Sequence, residues 1–98
     1  MTVRAYWHDA LLAESDDTVV VEGNHYFPRQ SIVESYFTPS ALTTTCHWKG
    51  EASYLSITVD GEVNKDAAWY YPQPKEEATE IIDRVAFWKG VTVTEDPS

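Results

Sequence analysis

Cysteine is nearly absent: Cys46 is the single one in 98 residues. One thiol forms no intrachain disulfide and excludes a zinc site built from four cysteines. Positive charge is scarce as well. Seven Lys and Arg stand against 16 Asp and Glu, giving a net charge of −9. Binding to nucleic acid depends on neutralising phosphates, so a wide nucleic-acid groove is excluded, and an anionic membrane surface repels the chain. No apolar run approaches the ~18 residues that a membrane-crossing helix needs, and the first residues lack the charged-then-apolar order of a signal segment. The expectation is a soluble cytoplasmic protein with neither nucleic acid nor membrane as partner. No repeat, low-complexity segment or linker interrupts the chain, and its length suits one domain around one packed core.

Aromatic residues, by contrast, are plentiful. Four Trp, six Tyr and three Phe make up 13% of the chain, within a hydrophobic content of 43%. That load exceeds the needs of a minimal core, so some rings are candidates for lining a cleft. The densest chemistry lies in Thr43-Thr44-Thr45-Cys46-His47-Trp48-Lys49-Gly50, followed by Ala52-Ser53-Tyr54 and Ala68-Trp69-Tyr70-Tyr71-Pro72. These segments bring a thiol, an ammonium and several rings into one stretch of strand-forming sequence.

The pattern along the chain predicts a mainly β domain with two short helices. Val3–Trp7 and Ala10–Glu14 read as strands flanking a turn at His8-Asp9, and Thr18–Glu22 is a β-branched run closed by Gly23-Asn24. After Pro28, the spacing of Ile32, Val33, Tyr36 and Phe37 predicts a short helix ending before Pro39. A second helix fits Lys75 to about Asp83, with Glu76 and Glu77 in its first turn and Ala78, Ile81 and Ile82 as its apolar stripe. Val85–Trp88 and Val91–Thr94 return to strand around Lys89-Gly90. Glu95 to Ser98 read as a short frayed tail.

The clearest local signal is Asp60-Gly61, which suits a two-residue hairpin turn with positive φ at both positions. In that register Val59 faces Glu62, Tyr54 faces Ala67 and Ala52 faces Trp69. Tyr54, Lys65, Trp69 and Tyr71 then share one face, and Leu55, Ile57, Val59 and Tyr70 share the other. A bulge near Lys65-Asp66 would swap this order beyond it. The aliphatic face is the core candidate, which leaves the aromatic face for a cleft or for a second layer under the helix at 75–83.

Several groups are candidates for chemistry. Cys46 becomes a nucleophile if its pKa is lowered, and Lys49, three residues on, is a source of positive charge. His47 is adjacent, but neighbours on a strand point to opposite faces, so it reads as a surface residue. His8, His25, His47 and Cys46 contain no close-spaced ligand pair, and neither a metal nor a cofactor is expected. Glu22, Glu51 and Asp66 are carboxylates available for acid–base work, Asp66 standing at the expected bulge. His25-Tyr26-Phe27-Pro28 leads from a strand into the first expected helix, whose N-terminus, with Lys49 beside it, would hold a small anion between Tyr54 and Trp69.

The ordered strings Ala13-Glu14-Ser15, Val20–Pro28, Thr45–Gly50, Ala52-Ser53-Tyr54, Asp66–Pro72 and Val85–Trp88 resemble the domain of unknown function 427 family. The resemblance runs nearly end to end, over residues 3–94. It implies a small, chiefly β protein, similar to the β-tent arrangement of methionine sulfoxide reductase B and Mss4-like domains. A nucleotidyltransferase label sometimes given to that family finds no support in these residues, which contain neither a Gly-rich phosphate loop nor a paired-aspartate strand for two metals. Where members often carry proline after the motif cysteine, this chain has His47, which leaves the turn less constrained.

The combined reading is a bacterial, cytoplasmic, single-domain β protein that binds a small molecule or peptide group in an aromatic-lined pocket, acting as a monomer or weak homodimer. Tyr26, Cys46, Lys49, Tyr54, Trp69 and Tyr71 would form the wall. Two alternatives stand beside it: a thiol enzyme using Cys46, and a protein-interaction adaptor.

Overall fold

β-Branched and alternating segments dominate the chain, and in the computed structural model, which describes residues 1–97, they form three antiparallel sheets. Strands β1 (Thr2–Trp7) and β2 (Ala10–Ser15) form a hairpin, and β9 (Thr92–Asp96) pairs with the other side of β1. β3 (Val19–Val21) and β4 (Asn24–Tyr26) make a second, short hairpin. β5 (Phe37–Cys46), β6 (Gly50–Val59), β7 (Glu62–Tyr70) and β8 (Val85–Phe87) form the central sheet in that order. The hairpins close through positive φ at His8-Asp9, Glu22-Gly23 and Asp60-Gly61, the geometry that matches strand twist in tight two-residue turns.

The central sheet is covered on both faces. On one, Leu55, Ile57 and Val59 of β6 pack with Val3 and Ala5 of β1, Leu12 and Ala13 of β2, and Phe27, Phe37, Val85 and Phe87. On the other, Ala52, Tyr71 and Ala86 pack with Val21 and Tyr26 of the short hairpin and with Ala78 and Ile81. Phe27 joins the hairpin to the sheet: its N–H and C=O exchange hydrogen bonds with Val85, both at 2.8 Å.

The mainly β, antiparallel architecture is the expected one, but the two helical segments take another form. Residues 29–36 hold two separate 3-10 turns, Arg29–Ser31 and Glu34–Tyr36, and Phe37 already belongs to β5. The cause is lateral pairing: Ile32 bridges Ala13, and the Val33 N–H donates to the Leu12 carbonyl at 2.8 Å. A backbone bonded sideways to a strand has no donor left for an i−4 ladder. The second segment is a 3-10 element at Glu76–Ile81 with a non-helical kink at Ala78; it buries Ala78 and Ile81 and leaves Ile82 exposed. The expected tail is ordered as far as Asp96, since Glu95 and Asp96 pair with Val3 and Thr2, while Ser98 lies outside the described residues.

The β6–β7 register corrects two expected pairs, Tyr54 with Ala67 and Ala52 with Trp69, and keeps a third. Val59 pairs with Glu62, but Tyr54 pairs with Trp69 rather than Ala67. Between the pairs Ile57–Asn64 and Leu55–Ala68, Ser56 stands alone against Lys65, Asp66 and Ala67. The bulge therefore adds two residues to β7. A one-residue insertion reverses every side chain beyond it, whereas two restore the alternation. Tyr54 and Trp69 consequently stay on one face, and Leu55, Ile57, Val59 and Tyr70 on the other.

Candidate functional site

The aromatic face of the central sheet is only partly covered by the Glu76–Ile81 turn. What remains open is a hollow of about 200 Å³ lined by Lys49, Tyr54, Trp69, Tyr71 and Trp88. Tyr54 and Trp69 are directly paired on β6 and β7, which brings their rings side by side on the face that the two-residue bulge preserves. Trp88 follows β8 and stands edge-on to Trp69, with centroids 6.1 Å apart at 87°.

Most polar hydrogens of these rings are already committed. Trp69 Nε1 donates to the Tyr26 hydroxyl at 3.2 Å, Trp88 Nε1 donates to the Asp66 carbonyl at 2.6 Å, and the Tyr54 hydroxyl bonds Thr44 Oγ1 at 3.0 Å. Asp66 holds this corner together. At φ 57° it forms the bulge, its N–H donates to Ser56 Oγ at 3.1 Å, and its carboxylate accepts from the Ser40 hydroxyl. The residue read as a candidate acid or base is thus a structural corner: its carboxylate is engaged by Ser40, and its backbone carbonyl anchors the indole of Trp88.

Lys49 stands at the end of the turn between β5 and β6, where Cys46 pairs with Gly50. Gly50 has φ 108°, and a Cβ there would lie 3.4 Å from both the Gln73 carbonyl and the Lys75 nitrogen, so a side chain is strained at this close approach. The Lys75 N–H donates to the Lys49 carbonyl at 2.9 Å, and Lys75 Nζ to the His47 carbonyl at 2.8 Å, which fixes the turn. The Lys49 side chain is 8% exposed; its ammonium lies 5.5 Å from the Trp48 ring centroid and 5.7 Å from that of Tyr71, and it donates to the Glu22 carboxylate. Cation–π contact of this kind favours an ammonium held out of water.

Ionisation follows from that packing. Burial pulls the Lys49 pKa down, but the Glu22 hydrogen bond and neighbouring phenols outweigh it, and the net shift is upward from 10.5. The same hydrogen bond, together with the ammonium charge, lowers the Glu22 pKa below 4.5. Burial pushes the Tyr71 phenol up to about 12, although the Lys49 charge opposes it. A raised pKa means the folded state holds the proton more tightly. The stability contributed by Tyr71 is therefore fully present below about pH 10 and lost as pH rises through about 12. Lys49 acts in the same direction above about 10.5, while Glu22 contributes above 4.5 and loses its share as pH falls. Urea midpoints should decline above pH 10, and Tyr71→Phe, which has no phenol to ionise, should flatten part of that decline.

Four of the six residues expected at the wall, Lys49, Tyr54, Trp69 and Tyr71, are brought together. Tyr26 is fully buried one layer behind them, edge-on to Trp69 at 6.2 Å, and so supports the wall without reaching the hollow. Cys46 is half-buried at the margin of the second core, against the same cluster but outside the lining. His47 is exposed. The anion site expected at a helix N-terminus after Pro28 does not form: the segment is a three-residue 3-10 turn, and Lys49 engages Glu22 on the β3–β4 turn. His25 instead binds Thr18 Oγ1 through Nδ1 at 2.8 Å and Glu95 through Nε2 at 2.5 Å. Among the described residues no group of three or more His, Cys, Asp or Glu side chains converges as a metal site, and no helix is long and apolar enough to cross a membrane. Trp88 was expected to end a strand, and the carbonyl that directs its ring lies 22 residues away, so local pattern carries no sign of its place in the wall.

The fold and the site define a small antiparallel β domain with an aromatic hollow on one face of its central sheet. The model of the family described as domain of unknown function (DUF427) matches residues 1–96, and the chain belongs to that family. No curated protein matches it.

Proposed function

We propose that this domain binds a small molecule or a peptide group in the hollow between Tyr54, Trp69 and Trp88. The observation that carries this reading is the exposure of apolar ring surface around a concave space whose base holds a buried ammonium and a buried phenol. Rings offer large contact area at little conformational cost, and a few placed polar groups orient the ligand. Two other cavities are lined mainly by charged and polar residues, including Arg29, Arg84 and Asp17 in one and Arg4, Glu14 and Asp16 in the other. At about 200 Å³ the hollow falls below the roughly 300–1,000 Å³ of drug-sized sites, which favours a fragment-sized molecule or one terminal group of a longer chain. A domain with one unpaired cysteine fits the reducing cytoplasm, and we place its role there.

Trp88 gives the direct test, because its side chain is 46% exposed and its loss should spare the fold. Small aromatic fragments, beginning with indole and benzoate, should raise the melting temperature and change tryptophan emission. Trp88→Ala should weaken the best of them by at least about tenfold, as expected for a central aromatic anchor. Undiminished affinity in that variant, or silence of every fragment, would count against a binding role for the hollow.

A further inference from the structure

Positive charge in this acidic chain is not distributed evenly. Each arginine is held by carboxylates: Arg4 by Glu14 and Asp96, Arg29 by Glu34, and Arg84 by Asp17. The lysines differ. Lys49 has Glu22, but among the described residues no carboxylate lies within ion-pair distance of Lys65, Lys75 or Lys89. Two of these three brace the frame of the hollow. Lys89 Nζ sits 5.2 Å from the Trp88 ring centroid, and Lys75 fixes the turn that presents Lys49.

The polar groups still available inside the hollow are of one kind. An ammonium has three N–H donors, and Lys49 gives one to Glu22. The hydroxyls of Tyr26 and Tyr54 are engaged within the protein, but no hydrogen bond among the described residues occupies that of Tyr71. The indole N–H groups of Trp69 and Trp88 are committed elsewhere. The base therefore offers donors and a positive charge, and the wall offers flat apolar faces. Glu22 demonstrates which partner Lys49 takes. Its side chain is 54% exposed, so a carboxylate reaches the ammonium from the solvent side.

Resting on the binding role proposed above, we infer that the hollow selects a carboxylate carried on a planar apolar group. Its oxygens meet Lys49 and the Tyr71 hydroxyl, its ring lies among Tyr54, Trp69 and Trp88, and it competes with Glu22 for the ammonium. A free aromatic acid and the C-terminal residue of a peptide share this chemistry. A cationic ligand is disfavoured by the like charges of Lys49 and Lys89.

The test titrates the full-length protein with benzoate, benzamide and benzylamine, followed by tryptophan emission and amide NMR shifts. Benzoate should bind at least about tenfold more tightly than either uncharged or cationic analogue, the scale of a hydrogen bond to a charged group. Lys49→Met should erase the difference between benzoate and benzamide. Glu22→Gln should strengthen benzoate binding roughly two- to fivefold by removing an exposed competitor, and this readout keeps the inference testable should Lys49→Met fail to fold. N-acetylphenylalanine and its amide form the second arm. Preference for that acid over benzoate identifies a peptide terminus, the reverse order a free acid, and either supports the carboxylate site. Benzylamine or benzamide binding as tightly as benzoate, or weaker benzoate binding in Glu22→Gln, overturns it while the hollow's binding role stands. Silence of all five probes overturns the binding role itself.

Discussion

Phe27→Ala should remove about 3–5 kcal/mol of stability, the usual scale for emptying a buried phenylalanine site. The side chain is fully buried and stands edge-on to Phe87 at 5.5 Å, and Phe37 also packs against that ring at 6.0 Å. Its backbone is as constrained as its ring, bonded in both directions to Val85, so the surrounding chain has little freedom to collapse into the gap. In a domain of this size each ~1 kcal/mol lowers the melting temperature by about 4–8 °C, so a fall of at least about 12 °C is expected. Marginal stability makes this a large fraction of the total. The control is Val20→Ala on the neighbouring hairpin, whose side chain is 56% exposed and whose loss should change the midpoint little. Equal shifts in the two variants would mean that Phe27 is not the link between the short hairpin and the central sheet.

How much of this arrangement the sequence reveals depends on where each hydrogen bond goes. Asp60-Gly61 fixes its own turn, and strict alternation before it separates Leu55, Ile57 and Val59 from Tyr54, so both are legible locally. The size of the bulge is not. It depends on Asp66 at positive φ bonding Ser56 and Ser40, a hydroxyl 26 residues distant. Ile32, Val33, Tyr36 and Phe37 have helical spacing, yet the pairing of Ile32 and Val33 with β2 overrides it. β5 contains Pro39 and a run of threonines, and proline is tolerated there because the strand lies at the edge of its sheet. Pro39 is the one local sign of that edge; the threonine run beside it carries none.

The wall of the hollow divides along the same line. Lys49, Tyr54, Trp69 and Tyr71 are legible because one hairpin and the turn leading into it carry them on one face. Tyr26, expected in the wall, lies fully buried behind Trp69. Its ring completes the second core, and its hydroxyl accepts from the Trp69 indole N–H. Cys46 and Lys49 are three positions apart, but the turn sends only the ammonium into the hollow. Adjacency in a turn does not fix direction; the positive φ of Gly50 and the bonds from Lys75 do.

Trp69→Ala should cost about 3–5 kcal/mol and abolish detectable binding of aromatic fragments. Three losses combine at this position. The ring leaves its edge contacts with Tyr26 and Trp88, the hollow loses the wall shared by its two sides, and the Tyr26 hydroxyl loses the indole N–H that donates to it. Trp69→Phe separates them. It keeps a ring in the wall but leaves the phenol of a fully buried tyrosine without its partner, a penalty of about 1–3 kcal/mol. If that hydrogen bond is the cause, adding Tyr26→Phe to Trp69→Phe should recover stability, because both polar ends are then gone. The costs of the two single changes should therefore sum to more than the cost of the double, a coupling readable from urea midpoints of the four proteins. Strict additivity would mean that the indole N–H contributes nothing measurable through Tyr26. Fragment binding should follow a different order, surviving in weakened form wherever a ring remains at position 69 and disappearing only with alanine. A common physical cause would make stability and affinity fall together across all variants; two separate roles for one side chain predict that Trp69→Phe splits them.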